Sequence, residues 1–450
     1  GILMSAPGQT IGVSVFTDHL IRALSVSRFQ LSVTYMVGTL GSAAILSWAG
    51  RVYDRRGART VATVSALGLG VMLVYLSFVA DLANLAQAAT PAVRTAVALV
   101  LVTIGFFGIR FFGQGMLTLS SRNMVMNWFD RRRGLANAIL GVSISFGFSL
   151  APRVMESLIS TAGWQGAWRI VALAVGPVFA IVILVLYRNT PEQCGLAPDG
   201  GEPRADGDSA AGPAARLRRA IAAIPPRLRD VRATDHTLPE ARRTLVFWVF
   251  TGTVTLFSLT ITAFTFHVVS IFEQAGMDRT TAVNIFLPVS IIAMSVQFVA
   301  SSLSDYFKLK YFVLLQLAGQ AVMLLTLALL PRGIPVVLLI VAHAVNTAMF
   351  GIIANVTWAR YFGRAHLGAI SGFVMAFQVA GSAVGPAVFS LSLDLTGGYA
   401  TAALVCLATA VLLFLLALRT EQPGESHSRA RPTRPSTQPS RDRADDRGRS

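Results

Sequence analysis

Apolar side chains along this chain fall into long unbroken runs, not into the alternation of a half-buried strand or the narrow stripe of a surface helix. The runs lie near 1–17, 31–50, 60–80, 96–121, 134–152, 168–187, 244–270, 281–303, 311–330, 334–358, 367–393 and 399–418, six on each side of a hydrophilic stretch. About 20 apolar residues in a helix cross a hydrocarbon layer of about 30 Å. Backbone amides there have no water to bond, so each run must satisfy its own hydrogen bonds as a helix. The pattern predicts an all-α membrane protein of twelve transmembrane helices in two six-helix, pseudo-symmetric bundles. The expected divisions are a bundle at 1–187, a linker at 188–243, a second bundle at 244–420 and a disordered basic tail at 421–450. The first run supplies only about 24 Å of helix, so a truncated first helix is expected.

Composition narrows the class. Of 450 residues 54% are apolar and only 13% charged, which excludes a soluble enzyme, a collagenous chain and a disordered one. The net charge of +16 invites a nucleic-acid reading, yet only Lys308 and Lys310 among the 38 basic residues are lysine. The rest lie mainly in short loops and hydrophilic segments, as topology signals do. The expected partners are the lipid bilayer and a small solute, with no nucleic acid, and the chain is expected to be monomeric. One set of loops holds Arg51, Arg55, Arg56, Arg59, Arg122, Arg131, Arg132, Arg133, Lys308, Lys310, Arg360 and Arg364. The alternate set holds Arg22, Arg28, Arg94, Arg153, Arg169, Arg279 and Arg332. Twelve cations against seven place the first set, the linker and the C terminus in the cytoplasm. Cys194 and Cys406 have no disulfide or metal-ligand spacing, and no cofactor is expected.

Within the linker, residues 214–232 have the composition of a basic helix lying on anionic headgroups, with a solvated linker as the equal alternative. Thr237 and Glu240 have capping-box spacing and would start a helix running into the seventh span. Trp128-Phe129-Asp130-Arg131 and Tyr361-Phe362-Gly363-Arg364 share a pattern at an offset of 233, while Pro152 with Pro386 and Gly163 with Gly397 repeat at 234. Such weak similarity between halves marks duplicated transporter folds, whose solute site lies between the halves near the midplane. Gly147, Pro152, Gly381, Gly385 and Pro386 would let helices bend or pack closely there.

Between the second and third spans stands Gly50-Arg51-Val52-Tyr53-Asp54-Arg55-Arg56-Gly57-Ala58-Arg59. It resembles the loop signature of the major facilitator superfamily, with Arg59 one place later than the usual spacing. Physically, Gly50 and Gly57 permit a tight turn, Asp54 accepts hydrogen bonds or pairs with a cation, and Arg55 and Arg59 hold the loop at one surface. Further matches narrow the resemblance. Ser5-Ala6-Pro7-Gly8-Gln9-Thr10, Arg110-Phe111-Phe112-Gly113-Gln114-Gly115, Asn127-Trp128-Phe129 with Arg131-Arg132-Arg133-Gly134, and Tyr361 to Arg364 are similar to the bacterial branch akin to monocarboxylate porters and oxalate/formate antiporters. That branch implies transport of small organic anions, with Asp54 and its arginines helping to close the cytoplasmic side. The basic residues that the oxalate/formate branch carries in its second half are absent from spans eight and eleven, which argues against dicarboxylate exchange.

Two ionisable side chains fall deep inside the runs, Arg110 in the fourth and His343 in the tenth, again 233 apart. Buried ionisable groups in membranes are costly and mark function. Arg110, permanently cationic, is the expected substrate anchor; the alternative is a structural arginine held by carbonyls of neighbouring helices. His343 is a proton-coupling candidate, with a hydrogen-bonded core histidine as the other reading. Gln9 and Thr10 follow Pro7-Gly8, which should loosen the first helix and free backbone groups; with Gln114 and Asn346 they are the expected solute contacts. Gln297 and Gln378 are weaker candidates, and Asp18 and His267 belong to the rim. No Asp or Glu lies within a span, against a multidrug/proton exporter, and no phosphate-binding loop is present, so gradients must supply the energy. The function expected is secondary transport of a small organic anion across a bacterial inner membrane by alternating access, with proton coupling through His343 as an addition to it. An exporter of neutral or cationic compounds and a non-transporting solute sensor stand as alternatives.

Overall fold

The computed structural model describes residues 1–85, 91–200, 230 and 234–423, and it is helical throughout, with no strand among them. Among the described residues nine helices are long and apolar enough to cross a membrane. Two helical stretches are double: the one ending at Ser77, and the one from Arg133 that runs into the counted helix Leu150–Leu186. Arg28–Ser77 has 50 residues, about 75 Å of helix against about 30 Å of hydrocarbon. It breaks at Gly57, whose φ of 78° and ψ of 169° suit glycine alone, and Arg133–Leu173 breaks likewise at Gly163 with φ 71°. Each break separates two crossings, so the nine helices, with the shorter apolar helix Arg133–Ile144 completing the fifth crossing, supply eleven.

The twelfth is the first segment. It is built as a 3-10 turn over Leu3–Gly8, an extended Gln9 (φ −87°, ψ 158°), and short helices at Thr10–Ser14 and Thr17–Leu24. The crossing thus runs on past the apolar stretch through Asp18 and Arg22. Other boundaries follow local chemistry. Ser27 and Gln30 form a reciprocal capping box at the start of the second crossing. The predicted box at Thr237 and Glu240 also forms, but its helix Leu238–Ala241 lasts one turn, and Thr244 caps a separate seventh-crossing helix, Leu245–Gln274.

One hydrophobic core is drawn entirely from residues between Ala6 and Tyr187. Two others are drawn from Ala241 to Ala417, with Met126 of the fourth crossing the one addition. A smaller cluster joins Leu46, Ala49 and Leu119 to Met375 and Val379, packing the second and fourth crossings on the eleventh, Leu367–Thr396. The fold is therefore twelve crossings in two bundles, which meet through the second crossing on the eleventh and the fifth on the eighth, Phe286–Leu303. The expected amphipathic stretch at 214–232, apart from Asp230, and the tail from 424 lie outside the described residues.

Candidate functional site

The fourth crossing is not a uniform α-helix. Pro91–Ile109 is α-helical, Arg110–Leu117 is π-helical, and Thr118–Trp128 returns to α. Single π turns are rare and cluster at functional sites. Gly113 on this stretch abuts Gly8, where a methyl group would fall 2.3 Å from the Ile109 carbonyl oxygen and 2.9 Å from the Gly113 Cα. The broken first crossing and the widened fourth one therefore meet backbone to backbone.

Arg110 lies at that meeting point, 2% exposed. Its Nη1 donates to the Gly8 carbonyl and to Thr10 Oγ1, both at 3.4 Å, and its Cζ stands 5.2 Å from the centre of the Tyr35 ring. Thr10 and Tyr35 are themselves linked at 2.9 Å. Because Gln9 is extended, the Gly8 carbonyl is released from the helix and aimed at the cation. The compensation is nonetheless thin. Charge-assisted bonds to guanidinium close to about 2.7–2.9 Å, whereas these partners are neutral and longer. Nε has no partner, and no carboxylate pairs with the group among the described residues.

Of the other expected solute contacts, Gln9 donates to Ser5 Oγ at 3.1 Å and Thr118 Oγ1 at 3.3 Å, and Gln114 Oε1 is buried without a partner. The structure thus brings Gln9, Thr10, Arg110 and Gln114 together. Asn346 and His343 stand apart in the second bundle. Asn346 Nδ2 points at Met323 Sδ, 3.9 Å away on the ninth crossing, and His343 lies edge-on to Phe264 with its Nδ1 unpartnered. Around them Gln320 Nε2 donates to Thr260 Oγ1 at 2.9 Å, and Gln316 is buried with neither amide atom bonded.

The loop signature lies where the two bundles touch. Asp54 accepts from the amides of Gly368 and Ala369 at 2.6 and 2.7 Å, capping the eleventh crossing from across the bundle interface. Asp305 is its counterpart, accepting from Gly134 at 2.6 Å and Leu135 at 3.2 Å at the start of the fifth crossing. Gly50 is helical, not part of a turn, and packs its backbone on Gly368. Arg59 bonds its own bundle, through its amide to Asn189 Oδ1 at 2.8 Å and its guanidinium to the Leu184 carbonyl, while Arg55 is exposed.

The two ends of the linker reinforce this face. Asp199 accepts from the amides of Asp130, Arg131 and Arg132, and Asp235 from those of Arg364 and Ala365. Arg364 crosses between bundles to Glu192 at 2.9 Å and to the Asn127 carbonyl at 2.6 Å, and Arg360 pairs with Asp305 at 3.0 Å and Asp230 at 3.9 Å. Glu192, Asp230, Asp235, Asp305, Arg360 and Arg364 line an open, charged cavity of about 620 Å³. Burial pushes the Asp54 carboxyl up to about 6 against the pull of its two amide donors, and the Asp230 carboxyl up to about 6 against Arg360.

A second arginine within the fourth helix, its Nε buried, was missed. Arg122, counted above as a loop residue because an apolar run ends at 121, belongs to the helix Thr118–Trp128 and to the crossing Val93–Trp128. The linker carboxylates had no sequence signal, since single acids in a polar stretch have no periodicity.

The family profile of the Major Facilitator Superfamily matches residues 1–342 and 297–443. The chain belongs to that superfamily. Its members here are transporters, not enzymes. A phosphoglycerate transporter protein of Salmonella typhimurium is 26% identical over 203 residues, 41% of this chain and 40% of that protein. The match thus spans about two fifths of that relative's length. The proton:xylose symporter XylE, bound to 6-bromo-6-deoxy-D-glucose, superimposes with a TM-score of 0.64 at 14% identity, over 93% of both chains. The transporter FucP in its outward conformation gives 0.63 at 14% identity over 93% of this chain and 97% of its own. These likenesses establish the major facilitator fold of a multi-pass membrane protein.

Proposed function

We propose that this superfamily member is a secondary active transporter of a small organic anion in a bacterial inner membrane, working as a monomer. The observation that carries the reading is Arg110: a permanent charge deep in a crossing, held by two neutral groups at 3.4 Å and by no carboxylate among the described residues. A solute carboxylate or phosphate would supply shorter, charge-assisted bonds than these. Gln114 and Gln9 flank it, and the anion takes the place of Thr10 on the guanidinium. The phosphoglycerate transporter, whose named solute is a small organic anion, supports the same class.

The mechanism is alternating access. The bundles at 1–187 and 244–420 rock about the midplane, with the 188–243 linker, the tail and the sealed gate on the cytoplasmic side. The gate bonds of Asp54 and Asp305 break and re-form in each cycle. His343 carries a coupled proton in the second bundle.

The test is uptake of radiolabelled 3-phosphoglycerate and lactate into proteoliposomes. Arg110→Gln is expected to abolish uptake with the protein still folded and inserted; unchanged uptake of a transported acid would remove Arg110 as the anchor.

A further inference from the structure

Arg122 has no role in the site described above, yet it shares the chemistry of Arg110. Its Nε is buried without a hydrogen-bond partner, and among the described residues no carboxylate forms an ion pair with it. In a uniform α-helix twelve residues turn the chain by about 120° beyond whole turns, which would aim the two arginines in different directions. The π-helical stretch Arg110–Leu117 lies between them. With bonds to the fifth residue it advances only about 82° per residue, which removes about 140° of rotation and leaves the two positions within about 30° of one face.

Neighbouring contacts agree. Beside Arg122 on the helix surface, Leu119 packs with Met375 and Val379 of the eleventh crossing. Met126 joins the second bundle's core, with Val125 packed against it. Asn123, one residue on, donates to Ser371 Oγ at 2.7 Å across the interface. Arg122 therefore looks onto the opposite bundle. It lies about 9 Å inside the helix end at Trp128, just behind the gate that Asp54 and Asp305 seal.

We infer that Arg122 is a second anion station, which receives the solute from Arg110 and holds it when the gate side opens. This rests on the organic-anion reading of Arg110. The separation along the crossing, twelve residues at about 1.5 Å each, is about 18 Å, while a three-carbon phosphorylated acid spans roughly 8 Å across six bonds of about 1.5 Å. One solute cannot bridge both cations, so they act in succession. The class of solute is a small carboxylate or phosphorylated acid with a negative group exposed at one end.

The experiment uses full-length protein reconstituted in vesicles of known orientation, with radiolabelled 3-phosphoglycerate and lactate as probes presented from either side. Arg122→Gln is expected to raise KM at least tenfold from the gate side and less than twofold from the opposite side, with Arg122→Lys restoring most of the loss. Arg110→Gln is expected to remove transport from both sides. Equal changes on the two sides, or none, for Arg122→Gln overturn the second station while leaving the Arg110 reading standing. A normal response of Arg110→Gln overturns that reading and this inference together, as does failure of the wild type to bind either acid. Thermal unfolding of Arg122→Gln separates a structural role, which would lower stability and Vmax from both sides without a side-specific KM.

Discussion

The gate can be opened by one methyl group. An alanine Cβ at Gly50 would lie 2.0 Å from the Gly368 carbonyl oxygen, 2.7 Å from the Gly368 carbonyl carbon and 3.2 Å from the Ala369 Cα. The obstacles are backbone, so no rotamer change relieves them. Ordinary contact begins at 3.4 Å, and the second and eleventh crossings would have to part by about 1.4 Å. Overpacking of this kind costs about 1–3 kcal/mol, and here the cost falls on the closed interface alone, because each bundle keeps its own core. That shifts the ratio of closed to open gate by about 5-fold to 150-fold, comparable to losing one helix cap of about 0.5–2 kcal/mol such as that made by Asp54. The assay is the distance between spin labels at Arg56 and His366, both exposed and on opposite sides of the latch, with Cys194 and Cys406 replaced. Gly50→Ala should enlarge the long-distance population. Gly319→Ala, whose new methyl would meet nothing nearer than 3.4 Å, should leave it unchanged. A folded Gly50→Ala protein with the wild-type distance distribution would refute the close-packing argument.

Two further expectations concern protons. Burial holds the carboxyls of Asp54 and Asp230 at about 6, above the ordinary 3.8, and raises that of Asp305 as well. The closed gate therefore binds protons more tightly than one that hydrates these groups. Closure should strengthen as pH falls through about 6 toward about 4, and lose that contribution as pH rises through about 6. The same label pair measures it between pH 7.5 and pH 5, and a gate that opens on acidification would contradict the assignment. His343→Gln should leave solute exchange intact while making net uptake indifferent to an imposed pH gradient; retained dependence on the gradient would remove His343 as the proton carrier.

The crossings were legible because hydrocarbon leaves the backbone no alternative to helix, so length and apolarity alone mark them. The break at Pro7-Gly8 was legible from residues that cannot sustain a helix. Arg122 was not, because a charge at the end of an apolar run is indistinguishable from a loop residue until the helix is seen to continue to Trp128. Nor was the π stretch: Phe111, Phe112 and Met116 suit an α-helix as well, and the widening is visible only against Gly8. Asp305 was not legible either, because it lacks the glycines and arginines that surround Asp54. What the interface requires at that place is only a carboxylate in reach of two helix-starting amides, and a single residue provides it.

The repeat also explains why a permanent charge sits in one bundle and a titratable one in the other. Arg110 and His343 occupy equivalent crossings, yet their neighbours differ. Arg110 faces the first crossing, broken at an extended Gln9, where a carbonyl is free to accept from it. His343 faces Phe264 on the seventh, a continuous helix of 30 residues whose carbonyls are engaged within the helix. A guanidinium there would have no acceptor and could not shed its charge, whereas an imidazole can stay neutral until a proton and a partner arrive. Breaking only one of two duplicated helices thus confines the fixed cation of this pair to the first bundle, and in the proposed mechanism a symmetric scaffold then handles an anion and a proton at different places.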